Sequence, residues 1–146
     1  MAQTVRASFP LTVHVIFRRE DRVLLLRRHN TGYRDGWYSL VAGHVEVGEK
    51  LTQAARREVL EEIGVEVKNG SFKMRGVMHR RSNDQRIDFF LEAAAWQGAP
   101  VNREPGKCSG IGWFDQKELP EKTVPYIRRA LGLDPRSFWW AEFGWD

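Results

Sequence analysis

The chain has 146 residues, a formal net charge of +4 and 42% hydrophobic residues. This size and composition suit one folded domain and exclude a disordered chain. The single cysteine, Cys108, excludes an intramolecular disulfide and a cysteine-based zinc site. The basic residues are scattered along the sequence, so we expect no nucleic-acid polymer as a partner.

The sequence has no signal-peptide pattern and no apolar run near the ~18 residues that a membrane span needs. We therefore expect no membrane contact and a cytoplasmic location. Residues 1–10 are expected to form a short N-terminal arm. No internal repeat, low-complexity segment or linker divides the sequence, so residues 1–146 are predicted to form a single domain.

The sequence before residue 42 has the pattern of short strands and turns. Residues 11–19 alternate apolar and polar side chains and predict a strand, and the turn at residues 20–21 leads to its hairpin partner, Arg22–Arg28. Residues 30–36 form a polar loop. Residues 37–41 are a short predicted strand.

The second half of the chain predicts more strands. Residues 71–79 and 86–96 indicate an antiparallel pair around a polar loop at 80–85. Two shorter strands are predicted at residues 65–67 and 111–114.

The C-terminal part begins with an irregular segment at residues 98–110, followed after the strand at 111–114 by a turn at 115–119. An amphipathic helix is predicted at residues 124–131, with a proline near its first turn. The tail at 134–146 is rich in aromatic residues, and three roles are open for it: stacking on a nucleobase, docking on the sheet or forming a dimer contact. We favour docking, because large aromatic side chains mainly supply buried area.

One predicted helix carries a cluster of carboxylates. Leu51–Ile63 has helical periodicity and ends before Gly64, the residue type usual just past a helix C-terminus. At about 100° per residue, its apolar stripe consists of Leu51, Ala54, Ala55, Val59 and Ile63. Glu58 and Glu62 lie on this stripe, with Glu61 at its edge.

Carboxylates beside a core repel one another and lose hydration, so this cluster favours a bound cation. Oxygen ligands suit Mg²⁺ or Mn²⁺, and Mg²⁺ usually binds a few carboxylates together with waters and substrate phosphates. The alternative is a solvated, charged helix face. A surface helix would normally place its acids opposite the apolar stripe, which argues against that alternative.

Residues 43–65 fit the pattern G-x5-E-x7-R-E-U-x-E-E-x-G-U, in which U is apolar. The specified positions are occupied by Gly43, Glu49, Arg57, Glu58, Val59, Glu61, Glu62, Gly64 and Val65. This stretch resembles the Nudix box, and weaker similarity to the MutT-like branch of Nudix hydrolases extends over most of the chain. The resemblance implies an α/β fold, namely the Nudix α/β/α sandwich with a mixed β-sheet between helices.

The resemblance also assigns roles within the box. It implies that Glu61 and Glu62 are direct metal ligands and that Glu58 is a ligand or the base that activates water. Glu49 would be a further acid of the metal network, oriented by an ion pair with Arg57. The implied cofactor is Mg²⁺, with Mn²⁺ as a substitute.

Two further metal ligands are expected from the same resemblance. The backbone carbonyl of Ala42 matches a ligand position that is often glycine in MutT-like proteins. Glu104 lies at a spacing that resembles the additional metal-binding glutamate of those proteins. Glu92 and Asp88, on the preceding predicted strand, are its rivals, and a solvated loop acid is the alternative reading of Glu104.

Four basic side chains are candidates for substrate contacts. Arg27 and Arg28 end a predicted strand, and arginine makes bidentate contacts with phosphate oxygens. Strand alternation is expected to turn only one of them towards the site. His44 lies in the box loop and Lys107 follows Glu104, and each could also be a bystander in solvent.

Signatures outside the box bear on the substrate. The sequence has no Ser-Gln-Pro-Trp motif like that of NADH pyrophosphatases, and it lacks the second signatures of several ADP-ribose, dinucleotide and coenzyme A branches. The remaining resemblance is to enzymes that convert a nucleoside triphosphate into a nucleoside monophosphate and pyrophosphate. The alternatives are a hydrolase of ADP-ribose, a nucleotide sugar or a dinucleotide polyphosphate, and a non-catalytic nucleotide-sensing module. In each case the expected partner is a small-molecule nucleotide.

Overall fold

The structure, a computed structural model, describes residues 4–146 apart from the side chain of Asn69. The first three residues of the arm expected at 1–10 lie outside this range. Within it the elements are, in order, β1 (Leu11–Ile16), β2 (Arg18–Arg19), β3 (Arg22–Arg28), β4 (Tyr38–Ser39), β5 (Val41–His44), α1 (Leu51–Ile63), a 3-10 turn (Asn69–Ser71), β6 (Phe72–Arg81), β7 (Gln85–Ala93), β8 (Cys108–Asp115), α2 (Pro125–Leu131) and β9 (Trp139–Phe143). Neither helix in this part of the chain has the length and apolar character that a membrane span requires.

The described strands form a mixed sheet and an antiparallel sheet. The mixed sheet has the order β5-β1-β7-β6-β9, with β1 parallel to β7, β6 parallel to β9 and the other pairs antiparallel. In the second sheet β3 pairs along its length with β8 and, at its two ends, with β2 and β4. The sequence predicted one mixed sheet, so the division into two is an added finding.

The two helices cover opposite faces of these sheets. On β3, Leu24 belongs to the core that contains Ala54 and Val59 of α1, whereas Leu25 belongs to the core that contains Ile127 of α2. Alternate residues of β1 are divided between the two cores in the same way. Both faces are therefore buried, and the predicted α/β fold with a mixed β-sheet between helices is confirmed.

Helix α1 has the predicted bounds. The backbone N–H of Lys50 donates to Oε1 of Gln53 at 2.8 Å, which satisfies a group at the start of the helix. Gly64 ends the helix with a φ of 69°, a conformation that costs glycine little. The buried side of the helix consists of Ala54, Ala55, Val59 and Ile63.

Two predicted strands are each divided between the two sheets. Residues 11–19 are interrupted at Phe17, so that β1 belongs to the mixed sheet and β2 pairs with β3 in the other. Residues 37–41 are interrupted at Leu40, which separates β4 from β5 in the same way. Phe17 and Leu40 are both buried, so the apolar pattern continues across a point where the backbone changes sheet.

Other boundaries also differ from the sequence prediction. Residues 65–67 do not form a strand: Glu66 makes a single bridge with Gln97, and the apolar pattern arises because Val65 and Val67 are buried. The β6–β7 loop is shorter than predicted, because the antiparallel pairing continues as far as Arg81 and Gln85. Strand β8 is longer than predicted at both ends.

The aromatic tail docks on the fold, which was the favoured interpretation. Its strand β9 lies parallel to β6 at the edge of the mixed sheet, with Gly76 opposite Trp139. The Trp139 ring lies 5.2 Å from that of Phe90, between ring centroids. The tail therefore extends the sheet instead of lining the cavity described next.

Candidate active site

A cavity of about 300 Å³ opens beside α1, where β3, β5 and the start of β8 meet. Its walls include eight of the residues predicted for the site, namely Ala42, Glu58, Glu61, Glu62, Glu104, Arg27, Arg28 and Lys107. The cavity therefore combines acids from the helix with basic side chains from the sheet and the segment before β8.

Two acids of α1, Glu58 and Glu62, form a close, poorly solvated pair. The side chains of Glu58 and Glu62 lie one helical turn apart and line the same cavity. Burial raises the pKa of Glu62 well above its ordinary value, and the charges of Glu58 and Glu104 add to that effect. Burial also raises the pKa of Glu58, against the opposing charge of Arg57. A divalent cation would offset this repulsion and lost hydration, so the donor set fits a hard metal ion.

The acids do not form a closed cage. Within residues 4–146, no three His, Cys, Asp or Glu side chains are arranged as a ready metal site. Glu58 turns to Nη1 of Arg57 at 2.7 Å, and the side chain of Glu61 is 53% exposed. Open geometry of this kind suits Mg²⁺, which keeps several waters and shares substrate phosphates with a few carboxylates.

Arg57 connects the box loop to the helix acids. Its Nε and Nη2 donate to the two oxygens of Glu49 at 2.8 and 3.0 Å, the bidentate ion pair that the resemblance implied. The hydrogen bond from Arg57 lowers the pKa of Glu49 to about 2. Nη2 also donates to the carbonyl of His44 at 3.0 Å. Neither Arg57 nor Glu49 lines the cavity, but Arg57 donates a hydrogen bond to Glu58, which does.

Gly43 leaves room for the carboxylate of Glu58. A Cβ added at residue 43 would overlap the carboxyl group of Glu58, so the helix acid passes directly over this glycine. Beside it, the backbone N–H of Ala42 donates to Oε2 of Glu62 at 3.2 Å. The backbone of β5 at Ala42 and Gly43 is therefore in direct contact with the carboxylates of Glu62 and Glu58.

The three candidates for the additional acid lie in different places. Glu104 lines the cavity. Asp88 and Glu92 were rivals, but their β7 positions alternate with Phe89 and Leu91, which pack towards α1, so both acids face away from it. Glu92 instead pairs with Arg18 of β2 at 2.9 Å and with Arg75 of β6 at 3.2 Å.

One expectation for the basic residues was wrong, and one candidate lies outside the cavity. Arg27 and Arg28 both line the cavity, because a bulge in the pairing of β3 with β8 falls between them and breaks the alternation. His44 does not line the cavity. It ends β5, and its Nε2 lies 3.5 Å from Nη1 of Arg86. Lys107 lines the cavity.

Thr31 and Cys108 also line the cavity and were not predicted to do so. Thr31 accepts a hydrogen bond from Nη2 of Arg28 at 3.0 Å. A threonine in a polar loop has no distinctive sequence signal. Cys108 directly follows Lys107, but a lone cysteine is most often a small buried side chain, so its position gave no indication of the cavity.

A second polar group is buried on the α2 side of the mixed sheet. Nε and Nη2 of Arg80 donate to Asp88 at 2.6 and 3.2 Å, and Thr12 and Nε2 of His14 also bond to Asp88. Burial alone would raise the pKa of Asp88, but the hydrogen bonds from His14 and Arg80 outweigh it and lower that pKa. Burial lowers the pKa of His14. The guanidinium of Arg80 lies 3.7 Å from the ring centroid of Tyr126.

The fold and the box define the class of protein. The model of the NUDIX domain matches residues 8–132. The chain therefore belongs to the Nudix family. Hydrolases of this family generally use divalent metal cations, in agreement with the donor set of the cavity.

Two curated relatives are similar to this chain over most of its length. The chain is 33% identical over 116 residues to the NAD-capped RNA hydrolase NudC of Pectobacterium carotovorum, covering 80% of the chain and 42% of the relative. It is 34% identical over 130 residues to NudC of Citrobacter koseri, covering 88% of the chain and 48% of the relative. The chain thus spans about half the length of these curated relatives.

Among solved structures, the MutT Nudix hydrolase of Burkholderia pseudomallei superimposes with a TM-score of 0.78 at 24% identity. The match covers 86% of this chain and 97% of that one. At this level of identity the likeness supports the fold alone.

Proposed function

We propose that the chain hydrolyses a phosphoanhydride bond in a nucleoside diphosphate-linked small molecule. A nucleoside triphosphate is the proposed substrate, giving a nucleoside monophosphate and pyrophosphate. The observation that carries this proposal is the composition of the cavity, where Glu58, Glu62 and Glu104 lie in one pocket with Arg28 and Lys107. Phosphoryl transfer requires this combination, because the phosphate charge must be neutralised while the attacking water is aligned.

The acids provide the metal-binding side of the cavity. Glu58, Glu61 and Glu62 would hold Mg²⁺, or Mn²⁺ in its place, with help from Glu104 and the carbonyl of Ala42. When bound, the ion polarises phosphoryl oxygens and lowers the pKa of water.

The other side chains position the reacting groups. Arg57 holds Glu49 and Glu58 on either side of its guanidinium, which fixes where the Glu58 carboxylate can accept a proton. Arg27, Arg28 and Lys107 would bind phosphate oxygens at the opposite wall. Arginine suits this task because its planar group makes two parallel hydrogen bonds.

A dinucleotide such as NADH, free or as an RNA cap, is the second candidate. The names of the curated relatives favour it, since both are NAD-capped RNA hydrolases. The missing Ser-Gln-Pro-Trp motif disfavours it. A sensing module without catalysis is disfavoured by the complete set of Glu58, Glu61 and Glu62, because loss of these acids would be expected in such a module.

The test is a substrate screen with a matched pair of variants. Wild-type protein is incubated with Mg²⁺ and nucleoside triphosphates, nucleotide sugars, ADP-ribose, NADH or NAD-capped RNA, and released phosphate, pyrophosphate or monophosphate is measured. Glu62→Gln should lower kcat by about 10²- to 10⁴-fold, the range for loss of a main electrostatic or acid–base contributor. Glu66→Gln, at an exposed acid just beyond the helix, should leave kcat unchanged.

The outcomes separate the candidates. Pyrophosphate release from triphosphates supports the first proposal, whereas two monophosphates from NADH support the second. Full turnover in excess chelator would contradict the metal requirement. A folded Glu62→Gln variant within threefold of the wild-type rate would show that the acids are misassigned.

A further inference from the structure

The loop between β3 and β4 is closed and tightly wound. The N–H of Arg28 donates to the carbonyl of Trp37 at 2.9 Å, and the N–H of Gly36 donates back to the carbonyl of Arg28 at 2.7 Å. Asn30 and Arg34 have φ angles of 53° and 49°. Non-glycine residues rarely adopt this conformation and keep it only where surrounding contacts enforce it.

Asp35 supplies those contacts from within the loop. Its Oδ1 accepts hydrogen bonds from the N–H of Thr31 at 3.0 Å and from the Thr31 hydroxyl at 2.6 Å. Its Oδ2 accepts from the N–H of Gly32 at 3.1 Å. The bonds from Thr31 lower the pKa of Asp35, so the carboxylate is ionised at neutral pH.

The same threonine holds the guanidinium of Arg28. Nη2 of Arg28 donates to the Thr31 hydroxyl at 3.0 Å, and Nε donates to the carbonyl of Tyr33 at 2.7 Å. The guanidinium carbon lies 5.3 Å from the centroid of the Tyr33 ring. Nη1 makes no hydrogen bond within the described residues, and Arg28 lines the cavity. Two of its three nitrogens are thus used for support, which leaves the third for a ligand.

We propose that Asp35 is a positioning residue for substrate binding. Through Thr31 and the loop backbone it fixes Arg28, so that the guanidinium meets an anionic group of the substrate without first losing conformational freedom. This proposal rests on the proposed function, because it requires a substrate whose anionic groups reach Arg28. Preorganisation of this kind strengthens binding by reducing the entropy lost when the complex forms.

A merely structural role for Asp35 predicts a different result. If Asp35 only stabilised an exposed loop, its loss would lower the melting temperature and leave KM unchanged. If it acts through Arg28, its loss raises KM, leaves kcat nearly unchanged and has no further effect once Arg28 is absent.

The experiment is a double-mutant cycle on the substrate that the wild-type protein turns over. Asp35→Ala is expected to raise KM by about five- to tenfold with kcat within twofold, since an arginine–phosphate contact is weakened and not removed. Thr31→Val, which keeps the shape and removes the hydroxyl, should give a similar rise. Asp35→Ala in an Arg28→Ala background should add less than twofold. Equal effects of Asp35→Ala in both backgrounds would overturn the proposal.

Asp134→Ala is the matched control, because Asp134 is also an exposed acid in a turn and bonds to Arg136 at 2.9 and 3.1 Å. It should leave KM within the error of wild type. Asp35→Asn keeps an oxygen acceptor towards Thr31, so it should recover part of the lost affinity.

A second readout does not depend on turnover. The Arg28 Nε–H should exchange slowly with solvent in wild-type protein, as measured by NMR, because it donates to a backbone carbonyl. Asp35→Ala should speed this exchange at least tenfold without changing the exchange of amides in β1. Unchanged Arg28 exchange would overturn the positioning role even if the enzyme is active. If Asp35→Ala speeds this exchange but the wild-type protein turns over no substrate in the screen, the result would instead refute the proposed function.

Discussion

The backbone of β5 at Gly43 is so close to Glu58 of α1 that it limits where the Glu58 carboxylate can lie. Glu58 is also held by Arg57 at 2.7 Å, so its carboxylate has little freedom to move away. We expect Gly43→Ala to push the carboxylate from its place. A displacement near 1 Å in a catalytic group can cost about 10²-fold in rate, so kcat should fall by about that factor while the protein remains folded.

The measurement is kcat together with the melting temperature. Gly70→Ala is the control, because a Cβ there meets open space and the backbone is not left-handed. It should leave kcat unchanged. A Gly43→Ala variant with wild-type kcat would mean that Glu58 can act from another position.

His14 links stability to pH. Burial lowers its pKa from 6.5, so as pH falls below that value the unfolded chain takes up a proton before the folded protein does. The unfolded state is favoured by acid, and stability is lost as pH decreases. From pH 7.5 to 5.5 the free energy of unfolding should fall because of this group, by an amount on the order of 1 kcal/mol.

Urea denaturation at the two pH values measures this loss. His14→Gln cannot take up a proton, so the loss between pH 7.5 and 5.5 should be smaller, even though the variant is less stable overall. His29→Gln, at an exposed position, should show the wild-type loss. A His14→Gln variant with the full wild-type loss would place the titrating group elsewhere.

At the residue scale, the sequence predicted the acids and the basic residues Arg27, Arg28 and Lys107, but not the loop contacts that hold Arg28. Glu58, Glu61 and Glu62 are adjacent in a helix, so helical geometry alone brings them together. Asp35 and Thr31 carry no such pattern, because their importance depends on hydrogen bonds within an irregular loop. The placement of both Arg27 and Arg28 depends on a bulge, which strand alternation does not reveal.

At the scale of the element, strand β9 contains two adjacent tryptophans that differ in how much of the side chain is exposed. Trp139 is half-buried against Phe90, whereas the neighbouring Trp140 is 71% exposed. Removing the buried ring should cost about 2–3 kcal/mol, below the range for fully buried aromatics. Trp139→Ala should therefore lower the melting temperature by about 5–10 °C.

Trp140→Ala should change the melting temperature by less than about 2 °C, as is usual for exposed positions. Neither variant should change KM, because neither ring lines the cavity. A tenfold rise in KM for either variant, with an unchanged melting temperature, would restore the stacking role that was left open for the tail.

The strands were harder to predict than the helix that carries the acids. Leu51–Ile63 has a complete apolar period and a glycine stop, so both of its ends are set by local chemistry. The changes of sheet at Phe17 and Leu40 are not local. Both residues are buried and apolar like their neighbours, and only the partner strands, distant in sequence, determine where one sheet ends and the other begins.

At the scale of the whole molecule, the two cores share their strands. Val23 and Leu25 of β3 pack on the α2 side, and Leu24 and Leu26 pack on the α1 side. Neither core can lose its packing while the strand between them remains in place. We therefore expect a single cooperative unfolding transition.

Urea denaturation followed by far-UV circular dichroism and by tryptophan emission should give the same midpoint. The tryptophans report on both sides, since Trp96 packs against the α1 core and Trp139 against the α2 core. Variants that lack one of these two residues should keep coincident midpoints. Separate transitions would show that the halves unfold independently.

The parallel pairing of β1 with β7 has a consequence for the folding rate. Thr12 and Asp88 meet in this pair although they are 76 positions apart. The intervening chain, which contains α1 and most of the cavity, must lose conformational freedom before the ladder contributes any stability. Refolding should therefore take about milliseconds to seconds, as for other domains rich in distant contacts. During that interval the newly made chain would expose unpaired strand edges, which favour aggregation. The faster β1 pairs with β7, the shorter this exposure would be.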